Sequence, residues 1–93
     1  MKCSSLEEVR ANIDRIDDSI IRLIAERTEY VRQAAGFKKS EDAVKAPDRV
    51  DAVIAKVREK AQQYGAPPDI AETVWRNMIS GFIDLEMKDY ISK

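Results

Sequence analysis

Arg27, Glu86 and the lysines Lys38, Lys39 and Lys45 are the side chains whose positions suggest chemistry in this 93-residue chain. Arg27 falls where a run of apolar residues, spaced by threes and fours, asks for another apolar one. Desolvating a guanidinium costs several kcal/mol unless an anion answers it. The answer is either a structural carboxylate partner or an anionic ligand held within a helical bundle. Glu86 lies four residues after Phe82, three after Ile83 and seven after Ile79, inside an apolar stripe of its own. It can pair with Arg27, or it can be a protonated carboxyl that donates a hydrogen bond. The lysines sit in a polar segment, where they are either solvated or part of a mobile clamp.

What is missing narrows the chemistry further. The chain has no histidine and a single cysteine, Cys3. Serine triads, Cys–His pairs and imidazole metal sites are therefore excluded, and so is an internal disulfide. Sixteen basic and 17 acidic residues leave a formal net charge of −1, which points to neither nucleic acid nor an anionic membrane. No apolar run approaches the roughly 20 residues of a membrane span, and Met1 to Leu6 holds no signal-peptide core. A soluble cytoplasmic protein is the expectation. Lys56, Arg58, Glu59 and Lys60 read as an ordinary wet helix face.

Helices must position these charges. With 44% apolar and 35% charged residues, 3 Gly and 3 Pro, the composition fits an all-α fold. Ser5-Leu6-Glu7-Glu8 is an S-x-x-E capping box. Leu6, Val9, Ile13, Ile16, Ile20 and Leu23 then form a seam that continues through Arg27, Tyr30 or Val31, and Ala34. This spacing predicts a first helix over about 6–35. Residues 36–46 lack periodicity and read as a loop. Pro47 and Asp48 open a second helix, about 47–64, which Gly65 stops. A third, about 68–91, carries one apolar row of Ile70, Val74, Met78, Phe82 and Leu85. Beside it runs a second row of Trp75, Ile79, Ile83, Glu86 and Tyr90.

The first helix is long for so small a chain. About 30 residues span roughly 45 Å, whereas a compact monomer of this size is roughly 30 Å across. An intertwined homodimer would cover the overhanging seam, and a splayed three-helix monomer is the alternative. Arg10 and Arg27 are 17 residues apart on this helix, roughly 25 Å along its axis and about 100° around it. Two such side chains cannot meet on one small molecule. In an antiparallel dimer, Arg10 of one chain can meet Arg27 of the other.

The ordered set Arg10, Arg27, Lys38, Arg49 and Glu86 resembles the all-helical (type II) chorismate mutases, over about Ser5 to Tyr90. V-R-A-N-I-D-R-I-D at Val9–Asp17 and A-E-R at Ala25–Arg27 resemble that family's first helix. F-K-K-S-E-D-A-V-K-A-P-D-R-V at Phe37–Val50 is similar to the loop of the bacterial isochorismate pyruvate-lyases, a branch tied to salicylate synthesis. The resemblance implies a single-domain chain in an interlocked homodimer with two sites, each completed by Arg10 from the partner chain. It implies that Arg27 holds a substrate carboxylate and that Lys38 closes over the site to contact a carboxylate and the ether oxygen. Arg49 would bind the ring end, and Glu86 matches a position where Gln or Glu hydrogen-bonds the ether oxygen.

Two positions depart from the mutase pattern. Val50 stands where many mutases carry a glutamate that receives the C4 hydroxyl of chorismate, and isochorismate has no hydroxyl at C4. Phe82 replaces a small polar residue and makes the pocket more apolar. The expectation is therefore a cofactor-independent enzyme without a metal. Conversion of chorismate to prephenate leads on the family's habit. Cleavage of isochorismate to salicylate and pyruvate is the alternative that Val50, Phe82 and the 37–50 segment favour. A non-catalytic helical dimerisation module, with Arg27 and Glu86 merely paired, is the reading from a different class.

Overall fold

Ser5 starts the first helix by accepting the Glu8 N–H on its Oγ at 3.1 Å. The return arm of the capping box is shifted by one residue. The Glu8 carboxylate takes the Ser4 hydroxyl at 2.8 Å and the Ser4 N–H at 3.2 Å, and these bonds hold it below the usual glutamate range. A computed structural model describes residues 2–91. Its elements are helices throughout: α1 (Leu6–Phe37), a short α2 (Glu41–Lys45), α3 (Pro47–Tyr64) and α4 (Pro68–Ile91). The three long helices follow the sequence expectation of an all-α chain. The chain divides into two compact units, one up to Val31 and one from Arg32 onward.

The first unit is the greater part of α1. Its seam residues Leu6, Val9, Ile13, Ile16, Ile20 and Leu23 are all between 39% and 63% exposed. These are the residues whose spacing marks them for burial, so this stripe remains uncovered in the single chain.

In the second unit α3 packs along α4, and α2 packs against α4. Ala35, Val44, Ile54 and Ala61 are the buried apolar residues. Of the two rows on α4, Ile70 and Val74 are exposed, whereas Trp75, Ile79, Ile83 and Tyr90 are half-buried and Glu86 is buried. The row that carries Glu86 is thus the more covered along the helix. Arg58 is more than a wet charge: it donates to Glu72 at 2.7 Å and lies 3.0 Å from Asp69. Glu72 also accepts from Arg76 at 2.7 Å, and Arg76 and Arg58 together hold its carboxyl below the usual range.

The α3–α4 turn depends on one glycine. Gly65 adopts φ 76°, and the N–H groups of Gly65 and Ala66 close back onto Gln62 and Ala61 as a Schellman cap. A Cβ at Gly65 would meet nothing within 4 Å, so a side chain there costs backbone strain alone. Gly65→Ala is expected to lower stability by about 1–2 kcal/mol. The check is a lower urea midpoint at unchanged m-value.

The segment expected to be a loop, 36–46, departs from that expectation. Gly36 and Phe37 complete α1, and residues 41–45 form α2. Ser40 caps α2 by accepting the Ala43 N–H at 3.1 Å, and Glu41 and Asp42 fill the first turn, where negative charge is favoured. Val44, only 2% exposed, fastens the short helix. Ala46 then turns the chain at φ 35° and closes α2 with a 2.8 Å bond to Asp42 O. Pro47 follows at the first position of α3, which sets Arg49 and Val50 in its opening turn.

Candidate functional site

Lys38 is the first residue beyond α1, and its N–H donates to Ala35 O at 3.2 Å. Its ammonium donates to Glu86 Oε2 at 2.7 Å. The Lys38 side chain is 25% exposed and that of Glu86 only 8%. Among the described residues Glu86 is the one charged group in the buried class. Burying a carboxylate costs several kcal/mol, which an ammonium at hydrogen-bond distance only partly returns. Such a pair is weak evidence for stability, and sites of chemistry are where proteins accept that cost. The sequence left Glu86 open between a pair with Arg27 and a protonated donor; here it accepts from Lys38.

Two further contacts lie on the same face of α4. Asp89 accepts from Arg32 at 2.9 Å, and the Tyr90 hydroxyl donates to Lys39 O at 3.5 Å. Positions 89 and 90 lie three and four residues after 86, so both neighbour Glu86 on one side of the helix.

Val50 is half-buried and forms part of the wall of an open depression of about 180 Å³. Ile79 and Ile83 of α4 line it with Val50, and Arg76, Ser80 and Asp84 supply its polar edge. The sequence reading missed that polar edge. The signal available was the spacing of 76, 80 and 84, a polar row beside the apolar 79–83 row. Arg49 is exposed in the first turn of α3, and Phe82 is half-buried on α4. In the first unit Arg10 is exposed and Arg27 half-buried, on one continuous helix.

The second unit holds an ammonium over a buried carboxylate and, on α3 and α4, an open depression with Val50, Ile79 and Ile83 in its wall. An ammonium in that position can donate to developing negative charge. Among the described residues no group of three or more His, Cys, Asp or Glu could hold a metal ion. No helix of the described residues is long and apolar enough to cross a membrane.

Comparison with known proteins adds the family context. Residues 9–87 match the family described as chorismate mutase type II. The chain is 34% identical over 86 residues to an isochorismate pyruvate lyase of Pseudomonas aeruginosa, covering 92% of this chain and 85% of that protein. It is 32% identical over 87 residues to a bifunctional chorismate mutase/prephenate dehydratase of Aquifex aeolicus. That match covers 89% of this chain but only 24% of the bifunctional protein. A T-protein of Enterobacter agglomerans is 30% identical over 77 residues, 82% of this chain and 21% of the relative.

Proposed function

The chain belongs to the chorismate mutase type II family, and we propose that within it the chain cleaves isochorismate to salicylate and pyruvate. The observation that carries this reading is Val50 in the apolar wall with Ile79 and Ile83. At the position where a glutamate would receive the C4 hydroxyl of chorismate, valine offers no acceptor, and isochorismate needs none. The lyase relative, matched over most of both chains, supports the same choice.

The chemistry suits the residues. Salicylate and pyruvate together contain the atoms of isochorismate and nothing more, so no water or second substrate enters. A pericyclic cleavage needs no nucleophile, metal or cofactor. It needs a flexible dianion folded into its reactive conformer and negative charge stabilised on the breaking ether oxygen. In this reading Lys38 donates to that oxygen, and Glu86 holds the ammonium in place beside it. Arg27 clamps a carboxylate in the bidentate manner open to guanidinium, and Arg49 meets the ring end. The protein works as a homodimer, its uncovered α1 seam packed against a second copy, and Arg10 of the partner chain completes each site.

The same donors would serve the conversion of chorismate to prephenate, a reading favoured by the mutase named in the Aquifex aeolicus relative. Side-by-side turnover of both substrates separates the two. The two substrates are isomers with one ring hydroxyl each. A valine facing C4 discriminates against a hydroxyl there by about 10- to 100-fold, so kcat/KM for isochorismate is expected to exceed that for chorismate by such a factor. The reverse ratio would make the chain a mutase that manages the C4 hydroxyl without the usual glutamate. No turnover of either substrate would return Lys38 and Glu86 to a structural role.

A further inference from the structure

We infer that Asp89 and Tyr90 are positioning residues that act through Lys38, forming with Glu86 a clasp along one face of α4 that fixes the lysine segment before substrate arrives. The inference rests on the proposed role of Lys38 and names residues to which nothing so far gives a part in the reaction. Three contacts carry it: Arg32 to Asp89 at 2.9 Å, Lys38 to Glu86 at 2.7 Å, and Tyr90 to Lys39 O at 3.5 Å. Their partners stand at 32, 38 and 39, so the ammonium-bearing residue is held between one anchor six residues before it and another immediately after.

The geometry explains why Glu86 alone would be a poor positioner. Lys38 lies just past α1, its N–H still bonded to Ala35 O, and its long side chain has four rotatable bonds to order. A single ion pair fixes neither the end of α1 against α4 nor the backbone that follows Lys38. Arg32 ties the end of α1 to α4, and the Tyr90 bond ties the Lys39–Ser40 peptide. Val44, packed behind in α2, limits how far the rest of the segment can lift. Ordering completed before binding does not have to be met by the substrate, and this is how preorganised sites gain rate. The Arg32–Asp89 pair is 53% and 40% exposed, so its worth to global stability is small. Its effect belongs to local opening of the segment.

The test uses Asp89→Asn, Tyr90→Phe, their double variant and the charge swap Arg32→Asp with Asp89→Arg. Glu59→Gln serves as a charge control. Competitive acetylation of the full-length, ligand-free protein, read by mass spectrometry, reports how often Lys38 leaves Glu86. The expected result is Lys38 labelling about three- to fivefold faster in Asp89→Asn. A further rise is expected in the double variant, with Lys56 unchanged and thermal midpoint nearly constant. kcat/KM for the preferred substrate is expected to fall by a similar factor, and the charge swap to restore both readouts. Lys38 labelling equal to wild type in the double variant would overturn the clasp. So would a loss of kcat/KM that the charge swap fails to recover. Labelling needs no substrate, so wild-type silence on both substrates would sink the proposed function while labelling still decided the clasp.

Discussion

Replacing Lys38 with methionine is expected to lower kcat/KM by about 10²–10³-fold, the effect of removing one donor from a developing oxyanion. That factor corresponds to about 3–4 kcal/mol of barrier. Methionine keeps the length and apolar stem of the lysine and removes only the ammonium. The measurement is initial-rate kinetics on the preferred substrate, with the loss falling mainly on kcat, because the charge on the ether oxygen develops only in the transition state. A change confined to KM would mean that Lys38 binds a ground-state carboxylate and leaves the ether oxygen to another group.

The Glu86 pair supplies the control that separates chemistry from folding. Lys38→Met alone leaves a carboxylate, 8% exposed, without its 2.7 Å partner. Removing one member of a buried pair is destabilising, by up to about 3 kcal/mol where, as here, the partner reaches solvent. Replacing both members by apolar residues of similar size is often neutral. The Lys38→Met/Glu86→Met double variant is therefore expected to recover the thermal midpoint lost by the single variant and to remain as inactive. If it recovered activity with stability, the ammonium would be a fold element and the ether oxygen would have no donor from this residue.

The parts that were legible in the sequence are those written by local periodicity. The seam of α1 follows from steps of three and four, and Gly65 and Pro47 mark helix ends through their own backbone limits. The seam also announced a surface needing cover, and it is exposed in the single chain. Tertiary pairings were the illegible part. Lys38 and Glu86 are 48 residues apart, and no spacing rule selects that partner for either. Arg58 reads as a wet face because its carboxylates, Asp69 and Glu72, lie across the α3–α4 turn. Helix α2 has five residues, too few for a hydrophobic period; its signals were the Ser40 cap and two acidic residues, which also suit a solvated loop. Of the candidate site, residue types could be read in advance. Which of them hold one another could not.

The most decisive expected result concerns Arg10, and it requires two inactive proteins to make an active one. Arg10 and Arg27 share the continuous α1, roughly 25 Å apart along its axis, so one chain cannot bring both to one small dianion. If each site takes Arg10 from the partner chain, Arg10→Ala and Lys38→Met homodimers each carry two defective sites. Mixing them through mild denaturant, then refolding, forms heterodimers as half of all dimers. In each heterodimer one site joins the intact Lys38 of the Arg10→Ala chain to the intact Arg10 of the Lys38→Met chain. The other site lacks both. The mixture should recover about a quarter of wild-type activity, as the statistics of a two-fold assembly dictate. A site built within one chain gives a different answer: every site in the mixture then carries one defect, and activity stays at the level of the parents. In a dimer packed on the α1 seam, exchange without denaturant should be slow, because it must expose the apolar stripe that is bare in the single chain. Sedimentation of the wild type as a monomer at assay concentration would remove the trans arginine outright. It would also leave the stripe from Leu6 to Leu23 needing some other cover.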